Sequence, residues 1–185
     1  MSIQIRGPLF GVASRCEPVL AALPDWFGND SSVQAYVRTI DALPTFIAEY
    51  DGQCAGFLAI KQQNPYAAEI YVTAVRCELH RRGIGRRLLT AAEDWMRSTG
   101  IEYAYLKTLG PSREYEPCER TRRFYFALGY RPLEELKRLW ANDPCLIMVK
   151  RLADGTAPAR MTKLECRMND EARMATTVCV PHSSF

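Results

Sequence analysis

Only two histidines, His80 and His182, occur in the 185 residues, and none of the seven cysteines is spaced as a C-x-x-C pair. The usual Cys/His spacings of zinc ligands are missing, so no metal is expected. An odd number of cysteines, with no export-signal pattern at the start, points to free thiols in a reducing compartment, and a cytoplasmic location is expected. No apolar run approaches the roughly 20 residues of a membrane-crossing helix, so no membrane partner is expected. The net charge of +3 falls short of the strong basic face that nucleic acid requires. No internal repeat is visible, and the length suits one domain with a sizeable core.

What is present alternates between two periods. Residues 8–13, "PLFGVA", suit a short strand. Helical spacing follows at 15–23 and 30–42, where Val33, Tyr36, Val37 and Ile40 share a face. "TFIAEY" at 45–50, a "DG" turn and "CAGFLAIKQ" at 54–62 suit a hairpin. "AEIYVTAV" at 68–75 is almost wholly apolar and is expected to be a central strand buried on both faces. A helical stripe runs from Ile84 to Thr99 and stops at Gly100, and "EYAYLKTL" at 102–109 returns to strand. The loop 110–117 precedes a helix at 119–128, and two closing strands flank an "ANDP" turn at 141–144. The expected fold is a mixed α/β (α+β) domain over residues 1–152, one sheet with helices on its faces. Residues 153–185 lack sustained periodicity and are expected to be an extension.

The chemistry concentrates in "HRRGIGRRLL" at 80–89. A Walker loop would need Lys-Ser/Thr after its last glycine, and a dinucleotide fingerprint would need glycine where Leu88 stands. What remains is strand, short linker, glycine pair and helix. Helix N-termini present unpaired N–H groups and partial positive charge, and Gly83 and Gly85 leave room for an anion to reach them. Arg81, Arg82, Arg86 and Arg87 add cationic attraction. From these residues alone, a phosphate site and an exposed basic helix start are both open.

"VRCELHRRGIGRRLL" resembles the acetyl-coenzyme A loop of the GNAT family of N-acetyltransferases, [QR]-x-x-G-x-[GA] after an apolar strand. "TRRFYFALGY" at 121–130 resembles the family's late F-Y-x-x-x-G-[FY] segment, and the order of elements is similar over residues 8–152. The resemblance implies a central, mostly antiparallel, split β-sheet flanked by helices. It implies transfer of an acetyl group from acetyl-CoA, as cosubstrate, to a primary amine of a small molecule through a ternary complex. A protein acetyltransferase and a non-catalytic coenzyme A-binding module are the alternatives. Oligomeric state is open, a homodimer included.

Carried over by position, Arg81, Arg82, Gly83, Ile84, Gly85 and Arg86 would wrap the pyrophosphate through backbone N–H groups. Thr73, Ala74 and Val75 would pair with the pantetheine arm and offer an N–H to the developing oxyanion. Tyr125 matches the family's general acid, whereas its surroundings alone suit a core aromatic beside Phe124 and Leu128. Glu69 matches the general base of the histone-acetylating branch, and strand alternation would put it on one face with Tyr71 and Thr73. A partnered structural carboxylate, or proton loss through a water chain, is the alternative. His80 stands where Gln or Arg is usual, Cys77 replaces a common proline, and Pro117 and Cys118 stand where an asparagine often does. Trp26, Phe27 and the loop 110–117, with Glu114 and Glu116, are the expected substrate walls.

Overall fold

A computed structural model describes residues 2–28, 30–140 and 143–152, with residues 30 and 31 described for backbone only. The extension expected over 153–185 lies outside the described residues. The elements run β1 (Gln4–Leu9), α1 (Ala13–Ala21), α2 (Pro24–Phe27), α3 (Asp30–Ile40), β2 (Thr45–Tyr50), β3 (Gln53–Gln62) and β4 (Ala67–Val75). There follow a 3-10 turn (Cys77–Leu79), α4 (Ile84–Ser98), β5 (Tyr103–Leu109), α5 (Glu116–Ala127), β6 (Arg131–Trp140) and β7 (Asp143–Arg151). One seven-stranded sheet has the order β1-β2-β3-β4-β5-β7-β6. Every pairing is antiparallel except β4 with β5. The mixed α/β fold with a mostly antiparallel sheet is as expected.

Each face of the sheet is covered by helices. On one, α4 lays Ile84, Leu88, Leu89, Ala92 and Met96 onto Leu58, Ile60, Ala68, Ile70, Ala104 and Leu106. On the other, Cys16, Val19 and Leu20 of α1 and Val33, Tyr36 and Ile40 of α3 cover Ile47, Phe57, Ala59, Val72 and Ala74. Both sets of helical residues recur at three- and four-residue intervals, which is why the periodicity was informative. Glu93 of α4 is buried, and its carboxylate accepts from Tyr130 Oη (3.1 Å), Lys150 Nζ (2.6 Å) and Arg97 (3.2 Å). A buried charge is tolerated when paired this fully, and the cluster ties α4 to β7.

Several boundaries differ from expectation for physical reasons. The apolar run at 8–13 is divided by Gly11, at φ +67°, so the strand ends at Leu9 and the helix starts at Ala13. Helix α5 begins at Glu116 rather than 119 because Pro117 falls in its first turn, where no N–H is needed. Asp143 and Pro144 belong to β7 rather than to a turn, the Pro144 carbonyl accepting from Gly110 N–H at 2.7 Å.

Two irregularities shape β4. Ala59 pairs with Val72 but Ile60 pairs with Ile70, so Tyr71 is an extra residue, a β-bulge. Before it, Ala68 and Ile70 face α4; after it, Val72 and Ala74 face α1 and α3. The alternation expected from sequence is thereby reversed, and Thr73 lies on the face opposite Glu69 and Tyr71. The second irregularity is the short parallel pairing with β5, which covers only Ala67–Tyr103, Ala68–Ala104 and Glu69–Tyr105. Beyond Glu69 the two strands part.

Gly56 on β3 keeps β4 in place at this point. A Cβ there would lie 2.7 Å from the Ala74 carbonyl oxygen, closer than any tolerated contact. Gly56→Ala is expected to cost about 1–3 kcal/mol through overpacking, measured as a lower urea midpoint with an unchanged m-value.

Candidate active site

Where β4 and β5 part, the sheet opens into a cavity of about 610 Å³. Its walls are residues 70–75 of β4, 106–109 of β5, the turn and first residues of α4, one side of α5, and Leu23 with α2 and Tyr36 of α3. Residues 70–75 have lost their ladder partner on this side, so backbone N–H and C=O groups facing the gap need another one.

At one end lies the glycine pair. Gly83 is the N-cap of α4 in the left-handed conformation, with no side-chain cap, so the first N–H groups of the helix are not taken by a capping side chain. A Cβ on Gly83 would meet nothing within 4 Å, whereas one on Gly85 would lie 3.2 Å from the Phe124 ring. Gly83 thus borders open space, and Gly85 permits the close approach of α5. Arg81, Gly83, Ile84, Gly85 and Arg86 line the cavity together with Thr73, Ala74 and Val75; Arg82 is exposed and does not. Two cations, Arg81 and Arg86, and uncapped amides at a helix N-terminus suit a diphosphate. His80 holds the turn: its Nε2 lies 2.8 Å from the Val75 carbonyl, which only accepts, so that nitrogen carries the proton.

Tyr125 occupies the middle. It is buried, lines the cavity, and packs edge-on against Phe124 and Tyr130 with centroids 5.1 and 5.4 Å away. Burial pushes its phenol up to about 12, and the neighbouring Thr73 hydroxyl partly opposes this. The Thr73 oxygen is buried and makes no hydrogen bond of good geometry among the described residues. The bulge puts it beside Tyr125, a placement that alternation in the sequence pointed away from.

Glu69 is buried on the other face, and it does not line the cavity. Its Oε1 lies 3.1 Å from Lys107 Nζ, and its Oε2 accepts from Gln63 at 3.0 Å and Tyr105 at 3.4 Å. Glu69 thus lies on the Tyr71 side of β4, opposite Thr73, and its carboxylate is paired with Lys107, which lines the cavity wall. Cys118 also lines the cavity, but burial pushes its thiol up, against a nucleophilic thiolate.

The opposite end is walled by Leu23, Trp26, Phe27, Tyr36 and Tyr71. Two bonds tie α2 to the α5 region at the rim. The Trp26 indole N–H donates to Thr121 Oγ1 (3.3 Å), and the Tyr115 hydroxyl donates to the Asp25 carbonyl (3.0 Å). The buried Arg122 donates to the Leu109 carbonyl at 2.8 Å, fixing α5 to the end of β5. Glu116 is exposed and engaged by Arg120, which holds its carboxyl below the usual range; Glu114 is exposed, and neither acid lines the cavity.

A family model described as the acetyltransferase (GNAT) family matches residues 16–130. The chain belongs to this family. An uncharacterized N-acetyltransferase of Chlorobaculum tepidum is 30% identical over 111 residues, which cover 58% of this chain and 63% of that relative's length. Among solved structures, a GNAT-family protein from Desulfovibrio desulfuricans superposes with a TM-score of 0.69 at 23% identity, over 82% of this chain and all of that one. The PaiA N-acetyltransferase of Thermoplasma acidophilum, solved with coenzyme A, gives 0.63 at 19% identity, over 82% of this chain and 99% of that one. At these identities the structural likeness concerns the fold alone. Among the described residues there is no cluster of groups that could hold a metal ion, and no helix is long and apolar enough to cross a membrane.

The buried tyrosines of this GNAT domain carry a pH signature. Tyr125 titrates near 12, and burial also raises Tyr130 and, beside Glu69, Tyr105. An unfolded tyrosine titrates near 10, so between pH 10 and 12 the unfolded chain binds fewer protons and stability falls as pH rises. Thermal melts across pH 9–12 are expected to show that loss, with a shallower slope in Tyr125→Phe.

Proposed function

We propose that the chain is an acetyl-CoA-dependent N-acetyltransferase that moves the acetyl group to a primary amine by direct attack within a ternary complex. The observation that carries this reading is the parted β4–β5 cleft, which joins an anion-binding helix start to a buried phenol. The turn Arg81–Arg86 would hold the pyrophosphate with its backbone N–H groups. The unpaired edge of β4 at Thr73, Ala74 and Val75 would take the amides of the pantetheine arm as a further strand would. A β4 N–H aimed at the acetyl oxygen would stabilise the charge developing there.

In the chemical step the amine nitrogen forms the bond to the acetyl carbon, the carbon–sulfur bond breaks, and one proton must move from nitrogen to sulfur. Tyr125 supplies the sulfur with its phenolic proton and recovers one from the nitrogen. Its burial keeps the phenol protonated at neutral pH, as a donor requires. The thiol it regenerates ordinarily titrates near 8.5, well below a phenol, so protonation and bond cleavage must occur together.

Tyr125→Phe removes only the hydroxyl. It is expected to lower kcat at least a hundred-fold with the KM for acetyl-CoA within two-fold, read by free-thiol release. The outcome contradicting the acid role is an unchanged kcat.

Glu69 acts in this reading through Lys107, holding that cation at the cavity wall. Glu69→Gln is then expected to reduce kcat less than ten-fold and leave the acidic limb of the pH–rate profile in place. A hundred-fold loss with that limb abolished would make Glu69 the base.

A further inference from the structure

The acceptor end of the cavity has a composition that selects among amines. Phe27, Tyr36 and Tyr71 form a continuous aromatic wall, with ring centroids 5.4 and 5.8 Å apart along the series. Leu23 and Trp26 extend it. The wall exists because the bulge turns Tyr71 toward α3 and leaves it on the same face as Val72.

The charged side chains that line the cavity carry no free carboxylate. Among the described residues that line it there is no aspartate or glutamate, whereas Arg81, Arg86, Lys107 and Arg120 all contribute. The nearest carboxylates are already engaged by two of these cations: Glu69 by Lys107, and Glu116 by Arg120. A ligand with several ammonium groups would lose its hydration here without gaining a free carboxylate. An amine on an apolar body would instead bury that body against the rings.

We propose that the acceptor is a small monoamine with an apolar or aromatic body and no second cationic group. This rests on the acetyltransferase reading above. The same environment favours the neutral, reactive form of the amine, because desolvation against the rings opposes its ammonium form. No dedicated carboxylate is then needed beside the nitrogen, in keeping with Glu69 being committed to Lys107. The bonds from Trp26 to Thr121 and from Tyr115 to the Asp25 carbonyl close the rim across which an extended peptide would have to lie.

The test is free-thiol release by the full chain at saturating acetyl-CoA, with four acceptors: 2-phenylethylamine, spermidine, kanamycin and a short peptide with a free N-terminal alanine. The expected result is a kcat/KM for 2-phenylethylamine at least ten-fold above each of the other three. Trp26→Ala should raise the KM for 2-phenylethylamine at least three-fold and leave that for acetyl-CoA unchanged. Preference for spermidine, kanamycin or the peptide overturns the acceptor assignment and leaves the acetyltransferase reading standing. An acetyl-CoA-induced rise in melting temperature without turnover of the monoamine does the same. If acetyl-CoA neither shifts the melting temperature nor yields thiol with any amine, the underlying reading falls, and the acceptor assignment with it.

Discussion

The parting of β4 from β5 after Glu69 is the constraint on which the rest depends. A sheet interior satisfies its backbone groups by continuous pairing, and here the pairing stops after three residue pairs in the middle of the sheet. The cost is contained because other groups hold the two halves in place. Arg122 occupies the Leu109 carbonyl, Gly110 N–H reaches Pro144, and α4 packs across both strands at Ile70 and Leu106. What is left open is a wedge with polar backbone on its edges and apolar side chains on its faces. Such a wedge accepts a strand-like ligand arm from one side and a small body from the other.

The bulge at Tyr71 decides what each half of the wedge contains. One extra residue moves Thr73 to the side of Tyr125 and Phe124 and leaves Tyr71 with Tyr36. Without it, Glu69, Tyr71 and Thr73 would all share one face. The acids are also sorted by this geometry. Glu69 is drawn out of the cavity into a pair with Lys107, and Glu116 lies on the outer surface of α5 with Arg120. The cavity is therefore cationic at the helix start, charge-paired at Lys107, and aromatic between the early helices and β4.

Much of this was legible in the residues. The α4 stripe, the glycine pair and the buried central strand follow from periodicity and a short motif, because each depends on contacts local to one element. Tyr125, by contrast, stands out only through the family resemblance. The order of elements follows in the same way. What was not legible depends on pairing between distant segments. A bulge is a property of two strands in register, and nothing in "AEIYVTAV" marks Tyr71 as the residue left over. The partners of Glu69 come from Gln63, Tyr105 and Lys107, two of which lie on a strand 36 or more residues away. Strand β1 was misplaced because Gly11 divides an apolar run whose second half, Val12 and Ala13, belongs to a helix core.

The central claim is that the β4 edge and the α4 N-terminus together form one binding surface for acetyl-CoA. Amide hydrogen exchange of the full chain, with and without acetyl-CoA, tests it most directly. The account predicts added protection in two separate segments, residues 73–75 and 83–86, with the β6–β7 hairpin unchanged. Protection absent from both segments, or confined to surfaces away from the parted strands, would contradict it.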